Sequence, residues 1–230
     1  MRFLLTLACS LALLMVGAGA CAGENWSLAR NHDGIKVWTR DIPGYPIRGF
    51  KAVTTVKSTL GGLVSLVLDT PRAKEWVYRT DRVDVLKRND EKASFVIRII
   101  TDFPWPLRDR DVIVEGIIHQ EEGGTVSIIS RTVPREFYAE DPDYMRMPDF
   151  EGLWTFRPMG KGMVEITMEG KADPGGSIPA SVINLIVHET PYQTMRGLRR
   201  MMEDRNYNSA TLPQIREVQG RDAQPKEAQP

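Results

Sequence analysis

Apolar and polar residues alternate over positions 35–40 and again over 48–56, with Gly44 and Pro46 between the two runs. This period of two predicts a β-hairpin. The pattern then changes. Ser58 stands as an N-cap before Leu60, Leu63, Val64, Val67 and Leu68, whose spacing of three and four predicts a short helix. A second short helix starts at Pro71 and ends near Trp76 and Tyr78. Residues 82–87, 94–101, 111–120, 125–132, 152–157 and 163–171 read as further strands, with tight turns at Glu122-Gly123-Gly124 and Gly160-Lys161-Gly162. After Pro174-Gly175-Gly176 a helical period returns. Ile178, Val182, Leu185, Ile186, Met195, Leu198 and Met202 mark one face of a helix of about 27 residues, which Pro191 should kink or split. Periodicity is lost from Asn208, and residues 206–230 are expected to form a disordered tail.

Strands dominate and no helix alternates with them, which argues against a doubly wound parallel sheet. The expected class is α+β: a curved antiparallel sheet wrapped around a long C-terminal helix, with two short helices after the first strands and a hydrophobic cavity between the layers. One domain spanning residues 25–205 is the natural count for this length.

The first 22 residues carry one charge, Arg2, then an apolar core from Phe3 to about Val16, then small residues. That is the three-part pattern of a secretory signal peptide, and its core is shorter than the roughly 18 apolar residues that cross a bilayer. Cleavage after Ala22 fits the small residues Ala20 and Ala22 and releases a soluble periplasmic or secreted protein. The alternative is a lipoprotein attached through Cys21, but its recognition box prefers Leu where Ala18 stands. Both cysteines, Cys9 and Cys21, fall within this segment, so the exported domain has no thiol and is held by its core alone. The leader holds one base and no acid, and the whole chain has 30 of each, so the mature domain is close to neutral. Such a balance excludes nucleic acid as a partner.

The segment Phe103-Pro104-Trp105-Pro106-Leu107-Arg108-Asp109-Arg110-Asp111 separates two strand patterns. Both prolines lack an amide donor and fix φ, so the segment is a stiff loop rather than a central strand. In order along the chain stand Asp33-Gly34-Ile35-Lys36-Val37-Trp38, Asp69 with Trp76, Pro104-Trp105-Pro106 with Arg110-Asp111, and Gly175 and Pro179 leading into Val182-Ile183-Asn184. In this order and spacing the chain resembles the START family of lipid-binding, helix-grip domains, in the form found in exported bacterial members. The resemblance covers residues 25–205. It implies a cavity between sheet and helix that takes a lipid or sterol-like molecule, with no cofactor.

Candidate contacts follow from that expectation. Arg98 is a charge among Val96 and Ile100, and Glu115 lies with Ile113 and Ile117 on the next strand. An Arg98–Glu115 pair would fix a ligand headgroup or hydroxyl. The competing arrangement places both side chains on the outer face of the sheet. From the helix, Ile183, Ile186 and Val187 would floor the cavity, and Asn184 or His188 would add a polar contact. Pro104, Trp105, Pro106 and Leu107 would form a lid that touches a membrane transiently, or else Trp105 would plug the helix. Trp76 and Trp154 read as wall or core, and Asp69, Arg110 and Asp111 as loop ties.

Signals for catalysis are absent. No Gly-x-Ser-x-Gly elbow occurs, His32, His119 and His188 have no metal spacing, and Glu140-Asp141-Pro142-Asp143 lacks the spacing of a Ca²⁺ loop. The sequence therefore favours a monomeric carrier that is not an enzyme. The alternatives are an enzyme of the same fold, cyclase or hydrolase-like, and a partner-binding module of the cell envelope.

Overall fold

The period-two segments pair into one curved sheet. The computed structural model describes residues 25–45 and 47–218; the expected leader, with Cys9 and Cys21, and Pro46 of the first turn lie outside them. The chain opens with β1 (Ser27–His32), β2 (Ile35–Arg40) and β3 (Gly49–Lys57), then passes through α1 (Leu60–Leu68) and α2 (Ala73–Trp76). It continues with β4 (Thr80–Asn89), β5 (Ser94–Thr101), β6 (Arg110–Gln120), β7 (Val126–Thr132), β8 (Met145–Arg146), β9 (Asp149–Gly160) and β10 (Met163–Asp173). The order across the sheet is β1-β2-β3-β10-β9-β7-β6-β5-β4, and each neighbour along it is antiparallel. The two-residue β8 pairs in parallel with β6. Pairing of β10 with β3 joins the last strand to the first hairpin, which brings the following helix onto the concave face.

That helix is built in three parts: α3 (Ala180–Asn184), a π-helical turn at Leu185–Glu189, and α4 (Thr190–Met201). Pro191 sits in the first turn of α4 and offers no N–H to the carbonyls of the turn before it, and the widened π-helical turn falls immediately before it. The expected break is thus a change of helical register rather than a split. Tyr192, Met195, Leu198 and Met201 of α4 are buried together with Ile35, Val37, Ala52, Phe156 and Ile166 of the sheet and Leu63, Val64 and Leu66 of α1. Each Val, Leu, Ile, Met or Phe among them contributes about 1.5–3 kcal/mol by leaving water. The cap of α1 is Thr59 and not Ser58: Thr59 Oγ1 accepts from Gly62 N at 3.1 Å, while the Ser58 hydroxyl donates to Thr59 O.

The C-terminus corrects the expected boundary at residue 206. A short α5 (Arg205–Asn208) is followed by a strap that packs through Val218, with Ile215 buried. Both Glu217 carboxylate oxygens accept from the first turn of α1, Leu60 N at 2.9 Å and Gly61 N at 2.7 Å. Gln120 clasps Arg216 through its N–H and carbonyl. Gly62 permits the close crossing, since a Cβ there would overlap the Tyr207 carbonyl. Residues 219–230 lie outside the described part.

Candidate functional site

Between the concave face and the helices lies a cavity of about 270 Å³. The sheet supplies Phe50 from β3, Val83 and Val85 from β4, Phe95, Ile97, Ile99 and Thr101 from β5, and Val112 from β6. Ile128 and Ser130 from β7, Phe150 and Trp154 from β9, and Met168 and Ala172 from β10 complete that wall. The roof is Val67 and Leu68 of α1, Ala73 and Trp76 of α2, Ile186 of the π-helical turn, and Thr190 and Thr194 of α4. Trp76 and Trp154 meet edge to face with ring centroids 5.8 Å apart, so both are wall. Arg88 also lines the cavity. Its guanidinium is half exposed and bonds Asp90, and with the half-exposed Val85 it marks where the cavity meets solvent. Polar groups are few: the hydroxyls of Thr70, Thr80, Thr101, Ser130, Thr190 and Thr194, and the phenol of Tyr78. Among the described residues no carboxylate, imidazole or thiol lines it.

The Pro-Trp-Pro loop carries its own construction. Phe103 is buried and lines the cavity, its N–H donating to Asp109 Oδ1 at 2.8 Å. Arg110 stacks over the Phe103 ring at 4.2 Å and donates to the carbonyls of Arg108, Pro174 and Gly175. Burial pushes its pKa down, and no carboxylate lies within ion-pair distance of it among the described residues. This loop is thereby tied to the linker that leads into α3. Trp105, at the tip, is 92% exposed, so it does not plug the helix. Pro104, Pro106 and Leu107 shape this turn, where Leu107 N donates to Pro104 O, and do not line the cavity.

The predicted polar pair is not in the cavity. Arg98 faces Ile113 across the ladder, and Val96 faces Glu115, on the outer side of β5 and β6. Glu115 and Ile117 are exposed there. Ile100 and Ile113 are buried on that side, where residues 133–148 cross the sheet. Arg98 instead donates to Asp111 Oδ2 at 2.8 Å and to Asp141 Oδ2 at 3.1 Å. Asp111, 1% exposed, also accepts two bonds from Arg146, at 2.9 and 3.0 Å. Desolvation works against the Arg98 charge, but its bonds to Asp141 and Asp111 outweigh it and raise its pKa. On the helix, Ile186 lines the cavity; Val187 is buried elsewhere, Ile183 is half-buried away from the lining, and Asn184 is exposed. The alternation on β5 was readable but two-sided: Phe95, Ile97 and Ile99 are as apolar as Val96 and Ile100, and only the register with β6 decides which set faces in.

A curved antiparallel sheet gripping a C-terminal helix over an apolar cavity defines a helix-grip ligand-binding domain. The chain belongs to the START domain family, whose model matches residues 9–208. Domains of this family generally bind lipids or other hydrophobic ligands. The chain is 30% identical over 205 residues to an uncharacterised protein of Pseudomonas aeruginosa, covering 89% of this chain and all of that one. It is 29% identical over 139 residues to StAR-related lipid transfer protein 7 of Mus musculus, covering 59% of this chain and 37% of the mouse protein. Among solved structures, a STAR-related lipid transfer protein fragment from Xanthomonas axonopodis matches with a TM-score of 0.70 and 28% identity, covering 78% of this chain and 99% of that one.

Proposed function

We propose that this protein is an exported, monomeric carrier that takes one lipid or sterol-like molecule into its cavity and delivers it at a membrane, without chemical change to the cargo. The observation that carries the reading is the cavity itself: an apolar space under a helix, with scattered hydroxyls to orient one polar end of a ligand. General acid–base chemistry needs a titratable group in reach of the substrate, and among the described residues the lining offers the Tyr78 phenol and, at the mouth, the Arg88 guanidinium. Delivery is supported by the lid. Its inner residue, Phe103, touches the cavity while Trp105 stands in solvent two residues on. An indole so placed suits the water–lipid interface, where its ring is half apolar and its N–H stays wet. Export is supported by the pattern of residues 1–22.

The test is to purify the mature domain from its native envelope and extract it into organic solvent for mass spectrometry. A lipid or sterol in one-to-one ratio is expected. Empty protein that also takes up no fluorescent lipid would contradict the reading.

A further inference from the structure

One transverse row on the inner face of the sheet is nearly without side chains. The register sets Phe95 opposite Gly116, Gly116 opposite Ser130, Ser130 opposite Gly152, Gly152 opposite Gly170, and Gly170 opposite Phe50. Six strands thus give one residue each, three glycines and a serine between two phenylalanines. None of these glycines has a positive φ, so no backbone conformation demands them. Glycine inside a strand weakens it and marks a close approach. Here the approach is aromatic. A Cβ on Gly116 would overlap the Phe95 ring, one on Gly170 would come within 2.7 Å of the Phe50 ring, and one on Gly152 within 3.1 Å of the Phe150 ring.

Three phenyl rings therefore lie down over three glycines. Phe50, Phe95 and Phe150 line the cavity, whereas Gly116 and Gly170 beneath their rings do not. A methyl group on Gly116 or Gly170 must push the Phe95 or Phe50 ring from the sheet toward the space a ligand would use, because strand backbone cannot retreat within a paired ladder, while one on Gly152 needs the Phe150 ring to give by only a few tenths of an ångström. We propose that this glycine trough sets the breadth of the cavity, making Phe50, Phe95 and Phe150 the specificity-determining residues for a ligand with a broad, fused-ring apolar body over a single slender chain. The proposal rests on the carrier reading above.

Two intrinsically fluorescent probes test it: dehydroergosterol, which is broad, and cis-parinaric acid, which is slender. Gly170→Ala and Gly116→Ala are expected to weaken dehydroergosterol binding by about tenfold while changing parinaric acid by no more than about twofold. Phe50→Ala added to Gly170→Ala should restore the sterol. Phe50→Ala and Phe95→Ala alone add no atoms, and each should shift preference further toward the sterol, which keeps the test open if an alanine variant fails to fold. A wild-type protein that binds either probe, with a preference that none of these variants moves, overturns the trough and leaves the carrier reading standing. Wild-type binding of parinaric acid alone also contradicts the trough. Wild-type protein that takes up neither probe overturns both.

Discussion

On the inner face of β5 and β6, Phe95, Ile97, Ile99 and Val112 border empty space. On the outer face of the same strands, one residue along, Arg98 and Asp111 are locked with Arg146 and Asp141 where residues 133–148 cross. The two faces differ in what is left undone. Outside, each charge of the cluster has found its partner, and Arg146 also donates to the carbonyls of Tyr138 and Ala139, so the network clamps a covering segment to the sheet. Inside, apolar side chains meet across a gap that no residue fills. A satisfied polar cluster is structure, and an unfilled apolar surface is where a ligand is invited. The charge pair that the family resemblance suggested is real in kind, but Arg98 pairs with Asp111 rather than Glu115, and it faces away from the cavity.

The largest effect should come from breaking the outer cluster. Asp111→Asn removes the carboxylate shared by two guanidinium groups and leaves buried charge uncompensated, at a cost of about 3–5 kcal/mol in chemical denaturation. A loss under about 1 kcal/mol would mean that the cluster is open to water in solution. On the inner face, Ile99→Trp should fill the cavity and reduce uptake of a fluorescent lipid about tenfold, and overpacking costs about 1–3 kcal/mol. Glu115→Gln on the outer face should leave uptake unchanged, so equal losses in both variants would erase the distinction between the faces.

Smaller effects sharpen the edges of the account. Glu217→Gln weakens the carboxylate cap on α1 and is expected to cost about 1 kcal/mol, whereas a free tail would give no change. Trp105→Ala should alter stability by no more than about 0.5 kcal/mol, since the indole is in solvent, yet slow transfer between vesicles several-fold. The smallest effect is on pH. Burial, with Arg48 and Arg30 nearby, holds the His188 pKa below its ordinary value. The folded state therefore favours the neutral ring, so its contribution is complete above the ordinary pKa of about 6.5 and is lost as pH falls from there through the lowered value. Thermal midpoints should fall slightly over that window in the wild type, and His188→Gln should remove that component.

The strands were largely legible as alternating or continuous apolar runs between turn residues, and β5 runs over the 94–101 segment. Two strands escaped. β1 is exposed along nearly all its length and has no apolar face to read, and β8 has two residues. The C-terminal strap escaped for a related reason: Leu212, Ile215 and Val218 are isolated anchors, and the Glu217 cap carries no period. At the site, helical spacing points to Ile186, whereas for Arg98 and Glu115 the competing outer-face arrangement is the one the structure adopts, and Val96, Ile100, Ile113 and Ile117 go with them. Both faces of β5 are mostly apolar, with Ser94 and Arg98 on one and Thr101 on the other, so pattern alone does not orient it. A carboxylate on the face of Arg98 was present in the sequence at Asp111, two positions before Ile113, and its burial only emerges once residues 133–148 fold over it.

The central claim, that the space beneath the helix is a ligand site, is tested most directly by native mass spectrometry of the purified protein after incubation with lipid vesicles. A single added mass in wild-type protein, absent from Ile99→Trp and retained in Glu115→Gln, is the predicted result. An added mass that persists in Ile99→Trp, or none in any of the three, would contradict it.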